Sequence, residues 1–350
     1  MHISMRKIVL AAVLALMASS AFSQNLADLF EQNKQSVVTI YVKESLNSGA
    51  GDPRTFVSNE GLGSGVLIRD DIILTASHVV ANADQIMVQF YDGEALEATT
   101  TRISRMADVA VITLKKPPSN PQIATLGNSD DVRIGDEVFV VGAPMGLPYS
   151  LSRGVISGRH AENNLANDGK SLEFFQTDAA INTGNSGGPM FNYKGEVIGI
   201  VSSILTRSGG FEGIGFAATS NVSRALLTER GSRYFGVESL LLSSEMARVL
   251  NVPQGSGWLI QHVVRNSPAG RLGLQGGFRT AVIDEEEVLL GGDIILAVDH
   301  IVIKDEDSIY KIWEYFNSNL STVTYNLKVL RGGKIMDFRW VSASFEPTRQ

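Results

Sequence analysis

Gly184-Asn185-Ser186-Gly187-Gly188-Pro189 is the stretch on which the reading of this chain turns. A serine flanked by glycines on a tight turn exposes its hydroxyl, and neighbouring backbone N–H groups stay free to point at one spot. There they would stabilise the oxyanion of a tetrahedral intermediate. Taken alone, the stretch reads equally well as a Gly-rich hairpin turn. Two residues far upstream bear on the choice. His78 follows an apolar, strand-like run in Leu74-Thr75-Ala76-Ser77-His78-Val79-Val80, and Asp108 precedes Val109-Ala110-Val111-Ile112, a run that should be buried. Singly, His78 reads as a structural or solvated histidine and Asp108 as a turn aspartate.

The three signals are weak apart and strong together. They fall in the order His, Asp, Ser, with spacings of 30 and 78 residues, the order found in chymotrypsin. The surroundings predict a mostly β scaffold. Short β-branched segments at 36–42, 65–68, 72–75, 85–90 and 109–114, then at 137–142, 150–157, 174–177, 196–202 and 213–217, are separated by Gly, Asn, Asp or Pro clusters, as in a barrel or sandwich. Near Ser220 the texture changes. A short helix is expected over 222–227, and a polar linker containing Gly231 follows. Beyond it, helical patterns at 243–250 and 308–316 lie among strands at 258–264, 293–298, 322–330 and 334–341, a compact α+β module. The second helix carries Ile309, Ile312, Trp313 and Phe316 on one face and Asp305, Glu306 and Asp307 at its N-terminal end, where the helix dipole favours anions.

At this point the chain resembles a known family. Thr75-Ala76-Ser77-His78, Asp108-Val109-Ala110-Val111 and the run from Gln176 to Pro189 look like the HtrA/Deg family of periplasmic trypsin-fold serine proteases. Gly213-Ile214-Gly215-Phe216-Ala217 resembles the strand closing that family's second barrel. Tyr234-Phe235-Gly236-Val237 and Ser267-Pro268-Ala269 resemble the start and middle of its PDZ module. The resemblance implies a two-barrel protease domain over 24–228, a linker over 229–233 and one PDZ domain over 234–345. It implies a catalytic trio of His78, Asp108 and Ser186, with the N–H groups of Gly184 and Ser186 as the oxyanion hole. Ser77 and Thr183 depart from common family choices, and neither departure removes a catalytic group.

Further expectations concern specificity and control. Ala180, six residues before the serine, would form the base of the S1 pocket and favour small or medium aliphatic residues. Ile200, Val201 and Ser202 would pair with an extended substrate. In the PDZ module, Tyr234, Phe235, Gly236 and Val237 would capture a C-terminal carboxylate, with Ile309 and Ile312 walling the groove. Arg159, at the base of a polar loop over 160–173, is the candidate relay to the oxyanion loop; a solvated arginine is the plain alternative. The segment 275–290, with its acidic run Asp284-Glu285-Glu286-Glu287, looks like an insertion and is expected as a solvated surface loop; a lid over the peptide groove is the alternative. By resemblance the protein is a trimer joined through Leu26 to Phe30.

Composition sets the outer limits. Arg6 and Lys7, the apolar run from Ile8 to Ala18, and Ala21-Phe22-Ser23 form a signal-peptide pattern over 1–23, so a periplasmic location is expected; an uncleaved anchor is the alternative. Losing that segment removes two positive charges from a chain already at −7, which leaves no electrostatic footprint for nucleic acid. No later apolar stretch is long enough to span a bilayer. The absence of cysteine excludes disulfides, thiolate metal sites and a cysteine nucleophile. No His-Glu-x-x-His exists, and no metal or cofactor is expected. Gly184-x-Ser186-x-Gly188 also fits the elbow of α/β-hydrolases, but that fold needs a helix where Pro189 and a strand-like run follow. Gly169-Lys170-Ser171 echoes a phosphate loop but lacks the first glycine, Asn standing at 164. A holdase for unfolded chains, or a PDZ adaptor with a silent protease domain, are the non-enzymatic alternatives.

Overall fold

The computed structural model describes residues 25–162, 172–204, 210–228, 234–283, 286–318 and 322–342. The expected signal segment, the linker at 229–233 and residues 163–171 of the polar loop lie outside the described residues.

Strands β1 (Val37–Asn47), β2 (Phe56–Arg69), β3 (Ile72–Thr75), β4 (Gln85–Gln89), β5 (Ala95–Ser104) and β6 (Val109–Leu114) close into one barrel, in the order β1-β2-β3-β6-β5-β4. A second barrel, ordered β10-β11-β12-β9-β8-β7, is made by β7 (Glu137–Gly142), β8 (Ser150–Glu162), β9 (Leu172–Thr177), β10 (Pro189–Asn192), β11 (Val197–Ile204) and β12 (Gly215–Thr219). Successive side chains of a strand point to opposite faces, so a strand buried on both sides reads as an unbroken apolar run. β6 is such a strand. Ala110 and Ile112 enter the interior of the first barrel, and Val109 and Val111 enter a layer shared between barrels. β7 mirrors it: Val138 and Val140 fill the second barrel, and Phe139 and Val141 enter the shared layer. That layer, completed by Val66, Leu74, Phe191 and Ile200, fixes one barrel against the other and so fixes the two halves of the site.

Helices cover the ends of the layer. In α1 (Leu26–Asn33) the Asn25 side chain accepts from the Ala27 N–H, and Leu29 is buried in the shared layer of its own chain. Residues Ser77–Val80 form a single-turn helix, α2. Helix α3 (Ser220–Thr228) adds Leu226 and Leu227 to the layer, and Arg102 donates to both of their carbonyls, at 2.7 and 2.6 Å, satisfying the helix end.

The C-terminal unit carries a sheet of β13 (Val237–Leu241), β14 (Trp258–Val263), β17 (Ile294–Val298), β18 (Ile301–Val302), β19 (Thr324–Arg331) and β20 (Lys334–Val341). Helices α4 (Ser244–Val249), α5 (Pro268–Arg271) and α6 (Glu306–Ser318) accompany it. This mixture is consistent with a PDZ domain. Asp305 accepts from the Ser308 N–H at 2.9 Å, so the acidic start of α6 is a cap in fact.

Two expectations are corrected here. Residues 279–290 are a β-hairpin, β15 (Arg279–Ile283) with β16 (Glu286–Leu290), and not a solvated loop. Val288 is buried in an apolar cluster with Leu259 and Leu296; of the acidic run, Glu286 and Glu287 belong to β16, and 284 and 285 lie outside the described residues. Burial of Val288 outweighs the charge of the acidic run beside it. The hairpin also reaches the first barrel, where the Thr280 N–H donates to the Gly49 carbonyl at 3.0 Å. Ile312, expected to wall a groove, is fully buried: the face bearing Ile312 and Phe316 packs inward, with Ile309 partly buried beside it. Among the described residues no helix is long and apolar enough to cross a membrane.

Candidate active site

β3 delivers His78. The strand ends at Thr75, Ala76 stays extended, and His78 sits on α2, whose Val79 and Val80 are buried. Asp108 occupies the turn before β6 with φ of 50°, a left-handed conformation that aspartate tolerates better than most residues. Its backbone therefore turns the carboxylate back towards α2. One oxygen accepts from the Ser77 hydroxyl at 2.9 Å and the His78 N–H at 3.0 Å; the other lies 2.8 Å from His78 Nδ1. With Nδ1–H committed to a carboxylate, Nε2 is the ring nitrogen left to accept a proton. Burial pushes the Asp108 carboxyl upward, but the His78 ring, the Ser202 hydroxyl and the His78 N–H outweigh burial and hold it below its ordinary value.

Ser202, at the end of β11, joins the two barrels' contributions. Its hydroxyl donates to Asp108 at 2.5 Å, and its carbonyl accepts from the Ser186 hydroxyl at 3.3 Å. Asp108, His78 and Ser186 thus converge on one place, although Asp108 and Ser202 are 94 residues apart in sequence.

The turn that carries Ser186 is fixed carbonyl by carbonyl. Thr183 O accepts from the Met145 N–H at 2.8 Å, Gly184 O from the Ser64 hydroxyl at 2.6 Å, Asn185 O from the Gly188 N–H at 2.9 Å and Ser186 O from the Ser64 N–H at 2.8 Å. A trans peptide places its N–H opposite its C=O. The four pinned carbonyls therefore orient the four intervening N–H groups. Those of Asn185 and Gly187 are spent on Asn182 O and Val201 O, at 2.9 and 2.7 Å. Among the described residues, the Gly184 and Ser186 N–H groups have no protein acceptor. Gly184 (φ 103°) must be glycine, since a Cβ would lie 2.1 Å from the Ala143 carbonyl. Gly187 (φ 84°) is as constrained, its Cβ falling 2.2 Å from the Thr75 hydroxyl and 2.3 Å from Ser64 O.

The comparisons with known proteins point to one family. The trypsin-like peptidase domain family matches residues 63–200. A probable periplasmic serine endoprotease, DegP-like, from Pseudomonas fulva (strain 12-X) is 37% identical over 242 residues, covering 67% of this chain and 50% of the relative. Its counterpart from Halomonas elongata is 40% identical over 234 residues, covering 65% and 48%. The chain thus spans about half the length of the curated relatives it matches. Among solved structures, the HtrA-type protease AlgW with a decapeptide is similar along nearly the whole length, with TM-score 0.50, 28% identity and coverage of 92% and 99%. A variant of AlgW with a decapeptide gives TM-score 0.52 at 26% identity, covering 93% and 98%. The chain belongs to the HtrA/Deg family.

Within this HtrA-family chain, the other residues singled out from sequence fall as follows. Ala180 is exposed beside the Ser186 turn, and its carbonyl accepts from the Ser152 hydroxyl at 2.8 Å. Asp178, the nearest acid in sequence, directs an oxygen to the Val155 N–H at 2.7 Å. Ile200 and Val201 are buried, and Val201 uses its N–H on Gly188 O and its C=O on Gly187 N. Their place in a substrate-pairing strand is corrected accordingly, because the Ser186 turn already occupies the Val201 backbone. Arg159 on β8 grips Glu173 on β9 through two bonds of 2.9 Å, donates to Val132 O at 2.6 Å and covers the Phe175 ring. These partners, Glu173, Val132 and Phe175, all belong to the second half of the protease unit. Tyr234 donates to Ala81 O at 2.8 Å, placing the expected capture loop against the first barrel directly after α2. Gly236 has φ of 82°, and Phe235 is buried against Trp340.

Two contributions escaped sequence reading. Ser202 is expected from sequence only as a substrate-pairing residue, and its hydroxyl on Asp108 leaves no local pattern. Ser64, in Gly63-Ser64-Gly65, is fully buried yet polar, and that combination was the available signal: glycines on both sides of a small hydroxyl in an apolar strand. A buried hydrogen bond contributes about 1 kcal/mol net, but stranding its partner costs about 1–3 kcal/mol, so such a serine is kept for its partners.

Proposed function

We propose that the protein is a periplasmic serine endopeptidase that cleaves extended or unfolded polypeptides through an acyl-enzyme. The observation that carries this reading is the convergence on Asp108: its carboxylate takes His78 Nδ1 and the Ser202 hydroxyl, and Ser202 in turn holds Ser186. His78 Nε2 takes the proton of Ser186 as the hydroxyl attacks the scissile carbonyl. Asp108 keeps the ring in the right tautomer and stabilises the imidazolium, and His78 then protonates the leaving amine. The Gly184 and Ser186 N–H groups bind the oxyanion. Ser186 is held by Ser202 O at 3.3 Å here, and such bonds in substrate-free enzymes tighten towards the base when substrate arrives.

Ala180 gives the pocket no charge with which to hold a cation, and its neighbour Ile181 packs with Val201 and Ile204 in one apolar cluster of the second barrel. Peptides with Val, Ala, Ile or Leu at P1 should be cleaved about tenfold or more faster than those with Lys, Arg or Asp. Mass spectrometry of fragments from a denatured protein, read against Ser186→Ala, maps the sites; a Lys or Arg preference refutes this pocket.

The C-terminal unit is read as a PDZ domain that binds C-terminal peptides and modulates turnover within a homotrimer. Support comes from its loop: Phe235 O and Gly236 O are turned inward onto the Ala269 and Val264 N–H groups, both at 3.0 Å, so the Gly236 and Val237 N–H groups face the other way. A carboxylate fits such a nest. A chain ending at residue 233 should show altered basal turnover and no response to peptides with apolar C-termini. An identical response in both chains would make the unit a tether for substrate and not a switch.

A further inference from the structure

We propose that Ser64, a residue of the first barrel, is the positioning residue that sets the oxyanion-binding conformation of the second. This inference rests on the serine-protease reading. Ser64 is fully buried, and its hydroxyl donates to Gly184 O at 2.6 Å while accepting from the Ala143 N–H at 3.0 Å. Its backbone N–H donates to Ser186 O at 2.8 Å, and its own carbonyl accepts from the Thr75 hydroxyl at 2.7 Å, tying it to β3, the strand that leads to His78.

The consequence follows from peptide planarity. Rotating a peptide unit by half a turn exchanges the directions of its C=O and N–H, and it is the cheapest way to spoil an oxyanion hole without moving a side chain. For the unit between Gly184 and Asn185 that rotation would take Gly184 O off the Ser64 hydroxyl. For the unit between Ser186 and Gly187 it would take Ser186 O off the Ser64 N–H. Glycines at 184 and 187 make such rotations sterically open, since both tolerate positive and negative φ. The unit between Thr183 and Gly184 is held one step removed. Ser64 fixes Ala143, and the same short loop brings Met145, itself left-handed at φ 51°, to donate to Thr183 O. One side chain with its backbone N–H therefore controls three of the four peptide units of the turn. The fourth closes on itself through Gly188.

Ser64 touches no substrate; it acts by holding the two peptide units on either side of the one that carries the Ser186 N–H, and it reaches the unit that carries the Gly184 N–H through Ala143. Its removal should thus weaken binding of the tetrahedral state and spare binding of the ground state. The test uses the full-length Ser64→Ala protein, a peptide substrate with P1 Val, a peptidyl boronic acid of the same sequence, and the corresponding product peptide. The expected result is a fall in kcat of about ten- to a hundredfold, with KM held within about twofold. Boronate affinity should weaken by the same factor as kcat, and product-peptide affinity should not change. Ser64→Cys, which keeps the size and a weaker donor, should fall between wild type and Ser64→Ala, and it carries the comparison if the alanine variant does not fold. Unchanged kcat, or a loss shared equally by boronate and product peptide, overturns the proposal, the latter marking a loosened core. Wild-type protein that neither cleaves substrate nor takes the boronate would instead overturn the protease reading.

Discussion

Ser186→Ala should lower turnover of a denatured protein by about four orders of magnitude or more, and His78→Ala should do nearly the same. The double variant should be scarcely worse than either. A nucleophile without its base and a base without its nucleophile are equally idle, so their losses do not add. The fold should be indifferent to Ser186→Ala. Its hydroxyl makes a single bond of 3.3 Å to Ser202 O, and the turn around it is held by backbone carbonyls that alanine keeps. Initial rates on casein, together with thermal unfolding of each variant, check the claim. Activity in Ser186→Ala comparable with wild type would remove the nucleophile from this scheme.

Asp108→Asn should cost about 10⁴ in kcat and, unlike Ser186→Ala, also cost stability. Asparagine keeps the shape and one acceptor, but puts an N–H₂ where a carboxylate oxygen accepts from His78 Nδ1 or the Ser202 hydroxyl. The ring is then offered the wrong tautomer. The pH dependence distinguishes this variant further. Hydrogen bonds hold the Asp108 carboxyl below its ordinary value despite burial, so the folded protein binds that proton less readily than the unfolded chain does. The associated stability is fully present above the ordinary carboxylate value of about 3.9 and is lost as the pH falls from there through the lower folded value. Wild type should therefore lose more of its melting temperature than Asp108→Asn between neutral pH and about pH 3. Equal losses would mean that Asp108 carries no such linkage.

Much of this arrangement was legible in the sequence, and its limits have physical reasons. Strands announce themselves as short β-branched runs between turn residues, and the segments at 109–114 and 137–142 are legible on that ground. What such runs cannot say is which face meets which partner, so the shared layer formed by Val109, Val111, Phe139 and Val141 became visible only in three dimensions. The same limit explains Val201 and Ile312. Each lay in a correctly placed element, yet each turns inward, towards the Ser186 turn and the core of the C-terminal unit respectively. His78, Asp108 and Ser186 were readable because their motifs carry local backbone demands, a turn before a strand or glycines around a serine. Ser64 and Ser202 make their bonds across the chain, 120 and 94 residues away; the glycines beside Ser64 mark a close approach without naming its partner, and nothing beside Ser202 records its bond. The hairpin strands at 279–283 and 286–290 are obscured in sequence by the acidic run, though burial of Val288 decides the structure.

The shared layer between the barrels also bears on the life of the chain before it is finished. Ser64 and Gly184 meet across 120 residues, a contact that forms only after long loop closure. Until both barrels have closed and docked, Ser186 sits on a turn whose carbonyls lack their partner and whose histidine belongs to another folding unit. On the protease reading, a nascent or partly unfolded copy should therefore be inert and so no threat to its own unfolded siblings. Latency in this molecule is a property of its contact order.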